Sequence, residues 1–414
     1  MQFAFGESAF TIDTNAEPLV HRGAAAIADE HGAVLAALRN PIGTAPLCEL
    51  VKPGERVAIL VNDITRLTRT DLFLPLLIAE LNAAGVPDRD LFIVFATGIH
   101  RRQTPEEHRR ILGDEIARRI RHLDHRCEDD SALVEVGVTS FGNRVEINRE
   151  VYEADRIILT GEIMHHLIAG YSGGRKSLVP GVAGHRTTTF NHNMIFDPRC
   201  KAGLLDGNPA HEDMLEGCRM VEPDSLLNVI LSPEGGLIGV VAGHYEQAHR
   251  VGCRIVDEAL CAPIGEPYDL LIASAGGFPL DIDLRQAHKG LENACRALKP
   301  NGAVLFFAEC PNVAGHPRFL DYVNQYGDEF EMEQALRQHF EVGGHKAWWV
   351  VRLGRMFDIH VVTRAPQEFI ERCHLHYVNP DEWPARWADL VARAGPGARI
   401  GAMPHAGHTL PVLV

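Results

Sequence analysis

Six short apolar runs do most to limit what this chain can fold into. They lie at 56–61 (RVAILV), 91–96 (LFIVFA), 156–160 (RIILT), 269–273 (DLLIA), 303–308 (AVLFFA) and 357–362 (FDIHVV). Each is nearly continuous in apolar residues, which is the pattern of a strand buried on both faces. Between and around them, helical spacing recurs at 72–84, 105–120, 287–298 and 332–340. Doubly buried strands separated by helices predict an α/β fold of two lobes with mainly parallel sheets. In such sheets ligands bind in the loops past the strand C-termini, and the active site is expected there, in the interlobe cleft. A new strand–loop–helix–strand pattern begins after Gly265-Glu266-Pro267. The expected division is therefore an N-terminal domain at 1–266, with the Gly- and Pro-rich 396–414 segment as a candidate to rejoin it, and a cleft-closing C-terminal domain at 267–395.

Composition removes several function classes. A formal charge of −15 over 414 residues lacks the basic footprint that nucleic-acid binding needs. The nine cysteines are scattered, with no C-x-x-C pair, which suits reduced thiols in a cytoplasmic protein rather than a disulfide framework or structural zinc site. The opening MQFAFGESAFTID has no basic n-region followed by an apolar core, so no signal peptide is expected. No apolar run approaches the length of a membrane span. A homo-oligomer is allowed by these features but not specified by them.

The polar residues with most chemical promise cluster just after the predicted strands. Asn62-Asp63-Ile64-Thr65-Arg66 follows the first, Thr97-Gly98-Ile99-His100 the second, and a dense block at 161–193 (GEIMHHLIAGYSGGRKSLVPGVAGHRTTTFNHN) the third. Within that block, Gly170 to Ser177 nearly matches the phosphate loop G-x-x-x-x-G-K-[ST], but Arg175 stands where its second glycine should be. A nucleoside-triphosphate site is disfavoured for that reason. Ser172, Gly173, Gly174, Arg175 and Lys176 still suit a single phosphate or a lysine anchor, against the plain alternative of a solvated basic turn. His192 is a candidate metal ligand without companions at metal-binding spacing, so any metal there needs donors from elsewhere. His100 and His166 sit where a histidine can move protons. Adjacent residues point apart, so only one of His165 and His166 is expected to serve a given site. Arg66 is a fork for a carboxylate. Asp63 and Thr65 suit a ribose or phosphate, or simply cap the next helix. Arg285, Gln286 and Lys289 share one helix face at i, i+3 and i, i+4 spacing.

Together these residues resemble the nickel-dependent lactate racemase family, which racemises or epimerises 2-hydroxy acids. The resemblance runs through DITR at 63–66, TGIHR at 97–101 followed by TPEE, the HHLIAGYSGGRKSLVPGVAG and NH block at 165–192, and RQAHK at 285–289. It implies a nickel pincer nucleotide, a pyridinium mononucleotide whose two sulfur-bearing arms grip nickel through sulfur, carbon and sulfur. It further implies that Lys176 carries this cofactor covalently and that His192 is the single protein ligand to nickel. His100 and His166 would be paired acid/base residues, and Arg66, Gln286 and Lys289 would orient the substrate carboxylate. Asp63, Thr65 and the turn from Ser172 to Arg175 would lie near the nucleotide. The implied reaction inverts C2 by reversible hydride transfer, with a small 2-hydroxy acid as ligand and separate cofactor-maturation enzymes as partners. One departure stands out: Arg285 occupies the place of a tyrosine in the lactate-specific members. A second cation there suits a larger or dicarboxylic substrate such as malate better than lactate, with a lactate or gluconate-type sugar-acid member of the family as the alternative. Retention of His100, Arg66, Gln286 and Lys289 speaks against a non-catalytic nickel-cofactor carrier.

Overall fold

The run at 56–61 forms the strand Val57–Val61, with all five side chains buried. It lies inside a six-stranded sheet ordered Leu237–Gly243, Ser225–Leu231, Arg156–Glu162, Val57–Val61, Leu91–Phe95, Arg121–Asp124. Every adjacent pair is parallel except Leu237–Gly243 on Ser225–Leu231. Parallel neighbours need crossover connections. The first crossover is the helix Thr70–Ala83, which buries Leu72, Phe73, Leu74, Leu77, Ile78 and Leu81 in the core beside Val57, Ile59 and Ile93. At about 1.5–3 kcal/mol for each fully buried large apolar side chain, this face alone explains why the helix docks. The chain steps outward from Val57–Val61 to Leu91–Phe95 and Arg121–Asp124, then returns to the other side as Arg156–Glu162. Strand order thus reverses beside Val57–Val61, and ligands bind at such switch points, past the strand C-termini.

The computed structural model describes residues 1–414 and divides into two units, Gly23–Glu258 and a second made of Met1–Arg22 with Ala259–Val414. This differs from the division at 266 read from sequence. The hairpin of Gln2–Phe5 and Ser8–Thr11 places Phe3 and Phe5 in one core with Leu270, Ile272, Leu305 and Phe307. The Phe3 and Phe307 rings lie 5.8 Å apart. The N-terminal 22 residues belong with the C-terminal chain because its sheet gives their aromatic side chains a place out of water. The 396–414 segment does not rejoin the first lobe. Its strand Ile400–Met403 pairs with Tyr268–Ser274 and Glu17–Pro18, and Leu410–Leu413 pairs with Cys261–Ile264. The second sheet runs His376–Val378, Asp358–Val362, Leu298–Phe307, Tyr268–Ser274, Ile400–Met403, Glu17–Pro18, parallel throughout.

The stretch 105–120 holds two helices, Pro105–Leu112 and Asp114–Arg119, because Gly113 between them takes φ 76° and interrupts the ladder. The TPEE motif is the capping box of the first. Thr104 accepts from the Glu107 amide, and the Glu107 carboxylate accepts from the Thr104 amide. No helix is long and apolar enough to cross a membrane.

Candidate active site

At the switch point, the ends of three neighbouring strands open into one cavity. It is lined by Asn62, Asp63 and Arg66 after the first strand, by residues 96–100 after the second, and by His166, Ser172, Gly173, Lys176, Ser177 and His192 after the third, among others. Every lining residue belongs to the Gly23–Glu258 unit. The space is about 720 Å³ including its open mouth.

Asp63 is 4 % exposed and fully engaged. Its Oδ1 accepts from the Thr65 amide at 3.1 Å and the Thr65 hydroxyl at 2.5 Å, and its Oδ2 lies 2.6 Å from His100 Nδ1. Burial by itself would raise the Asp63 carboxyl, but the bonds from His100 and Thr65 outweigh it and hold the group below its ordinary value. Asp63 therefore reaches the cavity chiefly through His100, and Thr65 braces Asp63 without lining the cavity. Neither residue caps the following helix, whose N-cap is Arg69.

The histidine doublet divides as its alternation requires. His165 Nε2 turns to Asp257 at 2.9 Å, and the Tyr171 hydroxyl donates to the same carboxylate. His166 lines the cavity. Its Nδ1 accepts from the Ile168 and Ala169 amides at 3.3 and 3.1 Å, so Nε2 is the protonated nitrogen of its neutral ring. At His100 the assignment is reversed. The Asp63 carboxylate can only accept, so Nδ1 carries a proton and, in the neutral ring, Nε2 the lone pair.

The glycine turn is held from behind. Ser172 Oγ accepts from the Met164 amide and donates to the Glu162 carbonyl, and Asn228 Oδ1 accepts from the Gly174 amide. Gly173 and Gly174 take φ of 69° and 57°, and a Cβ on either would lie under 3 Å from Asn228 or His249. Lys176 follows in the short helix Gly174–Ser177 and faces the cavity. Gly174 and Arg175 do not line it, contrary to expectation. Arg175 is 1 % exposed, donates to the Ala169 carbonyl at 2.7 Å and lies 3.2 Å from His249. Burial pulls its guanidinium down to about 10, still charged at neutral pH. The residue that spoils the phosphate-loop match is thus a structural cation inside the protein.

His192 ends the helix His185–His192. Its Nδ1 lies 2.9 Å from the Thr188 carbonyl, which can only accept, so Nδ1 carries hydrogen and Nε2 the lone pair. Asn62, Ser177 and Thr188, which the sequence reading included in its polar clusters without giving them a role, also line the cavity. Glu162, the last residue of its strand, does not line the cavity; burial pushes its carboxyl up to about 7 against the pull of Arg66.

Arg285, Gln286 and Lys289 lie in the other unit, on the helix Leu284–Arg296, and none lines this cavity. Their shared face is real: Lys289 Nζ donates to Gln286 Oε1 at 2.8 Å. Arg285 is about one-third exposed and lies 3.6 Å from Asp283, whose carboxyl burial raises.

Residues 5–203 match a family model described as the lactate racemase N-terminal domain, and residues 265–398 match the lactate racemase C-terminal domain. The lactate racemase of Lactiplantibacillus plantarum is 34% identical over 310 residues, covering 74% of this chain and 73% of the relative. That of Thermoanaerobacterium thermosaccharolyticum is 32% identical over 301 residues, 72% and 70% of the two chains. The solved lactate racemase apoprotein from the latter organism superposes with a TM-score of 0.90 at 27% identity, covering 100% of this chain and 99% of that one. A Thermotoga maritima protein shares the fold, with a TM-score of 0.65 at 19% identity over 93% and 98% of the two chains.

Proposed function

The chain belongs to the lactate racemase family, and from that premise we propose that it inverts C2 of a 2-hydroxy acid using a nickel pincer nucleotide tethered to Lys176 and ligated by His192. The observation that carries this reading is the orientation of His192. Its Nδ1–H donates to a backbone carbonyl, which makes Nε2 the coordinating nitrogen in a cavity that Lys176 also lines. Metal-ligating histidines ordinarily place their second N–H in this way. A single imidazole suits a metal whose other donors come from an organic group. When bound, that group would supply the hydride acceptor and donor.

The remaining chemistry falls to the protein's own side chains. His100 Nε2, with Nδ1 tied to Asp63, is placed to take a hydroxyl proton. His166, held as the opposite tautomer, presents Nε2–H as a donor. Two imidazoles of opposite tautomer suit a reaction in which one removes a hydroxyl proton and the other returns one, each transfer contributing about 10²–10⁴-fold. Arg66 would fork the substrate carboxylate at the cavity wall. The family resemblance assigns Arg285, Gln286 and Lys289 to the substrate, with Arg285 favouring a second carboxylate and hence malate. The names of the relatives favour lactate as the second reading.

The test is production together with cofactor-maturation enzymes, followed by intact mass, nickel content and turnover of L-malate, L-lactate and D-gluconate. A mass increment on Lys176 with one nickel per chain and malate racemisation is expected. Loaded protein that inverts no 2-hydroxy acid overturns the reaction, and clear preference for lactate overturns the substrate.

A further inference from the structure

In the other unit, two histidines and an aspartate converge at the edge of the second sheet. Asp358 and His360 are two apart in the strand Asp358–Val362, so they leave the same face. His376 opens the edge strand His376–Val378 and is the register partner of His360. The two imidazole rings stack with centroids 4.6 Å apart. His360 Nε2 lies 2.9 Å, and His376 Nε2 3.3 Å, from the same oxygen, Asp358 Oδ1. His360 is 2 % exposed, and neither of its ring nitrogens has an aligned hydrogen-bond partner. The carboxylate oxygen is near enough to Nε2 but off the direction of an N–H bond.

Close but misaligned approach is what ligands of one ion do, and rotation of the exposed His376 ring out of its stack on His360 would turn both Nε2 lone pairs toward one ion. Bonds of ~2.0–2.2 Å in a tetrahedral or octahedral shell leave adjacent donors ~3–3.5 Å apart, and these three donor atoms lie within 4.8 Å of one another. The geometry points to a divalent transition-metal site, of the zinc or nickel class, held by Asp358, His360 and His376. Two imidazoles select such ions over magnesium and calcium, which take oxygen donors. Arg393 donates to the other carboxylate oxygen, Asp358 Oδ2, at 2.8 Å, leaving Oδ1 for the ion as an outer-shell partner should. The charge of Arg393, and that of Arg386 acting on His376, opposes a cation. The site is therefore weaker than a closed four-ligand one, and His376, 62 % exposed, keeps it open to exchange. Its effect is to fasten a three-residue edge strand to its neighbour and, through Arg393, to the helix Trp383–Ala394.

The test uses untagged full-length protein carrying His192→Ala, so that no ion at His192 is counted. After EDTA treatment and desalting it is titrated with Zn²⁺, bound metal is measured by mass spectrometry, and Tm is followed with and without the ion. One ion per chain and a zinc-dependent rise in Tm are expected. Adding His376→Ala, at an exposed position, should weaken binding by roughly ten-fold or more and abolish the rise while leaving Tm in EDTA nearly unchanged. Asp358→Asn should weaken binding likewise. Equal zinc binding with and without His376, or no bound ion in the parent, overturns the site and leaves an ion-pair network only.

Discussion

Replacing Asp63 with asparagine isolates the device that sets the His100 tautomer. Asp63 Oδ1 is fixed by the Thr65 amide and hydroxyl, so the asparagine oxygen must stay on that side to accept the Thr65 N–H. Its NH₂ then falls where Oδ2 lies 2.6 Å from His100 Nδ1. An amide donor there forces Nδ1 to accept, moves the ring proton to Nε2, and removes the lone pair that would take the hydroxyl proton. The size is that of losing a general base through its wrong tautomer, ~10²–10⁴-fold in kcat, about 3–5 kcal/mol of barrier. The assay is initial-rate racemisation from either enantiomer, followed by circular dichroism, with nickel content matched between variants. KM should change little, and Asp63→Asn combined with His100→Ala should be no slower than His100→Ala alone, since both changes disable one group. A kcat near wild type in nickel-matched Asp63→Asn, or losses that multiply in the double variant, would refute the tautomer argument.

Other outcomes follow from the same geometry. His192→Ala should keep the covalent mass on Lys176 but lose most of the nickel, read by intact mass and metal analysis. Arg175→Ala should cost about 2–5 kcal/mol in urea unfolding, as deletion of a large buried side chain does, whereas a cofactor contact would leave stability unchanged. Arg285→Tyr should shift kcat/KM from malate toward lactate by roughly ten- to hundred-fold, the worth of one charge pairing; an unchanged ratio sinks the specificity role. The native state lowers the Asp63 pKa, so its stabilising contribution is complete above the ordinary carboxylate value of ~3.9 and is lost as pH falls through the depressed native value. Wild type and Asp63→Asn should thus converge in stability in strong acid and diverge as pH rises, measured by denaturant unfolding across pH.

The apolar runs by themselves determined three adjacent strands of each six-stranded sheet, because a strand buried on both faces has no freedom to be polar. Val57–Val61 and Leu91–Phe95 fall within one residue of their sequence reading. The candidate site was legible for a related reason: His100 and His166 stand just past such strands, and Lys176 and His192 follow in the polar block at 161–193. Antiparallel Leu237–Gly243 and the two-residue strand Glu17–Pro18 carry little periodic signal, and their pairing depends on partners far along the chain. The same dependence misplaced the domain boundary, since only the assembled second sheet offers Phe3 and Phe5 a core. Side-chain direction was beyond the sequence as well. Arg175 and Lys176 are adjacent and both cationic, and only the packed turn sends one inward to the Ala169 carbonyl and the other to the cavity. Residue type fixed which chemistry was available, while the tautomer of each histidine was decided by whichever acceptor or donor folding brought to its Nδ1: Asp63 for His100, two amides for His166, the Thr188 carbonyl for His192.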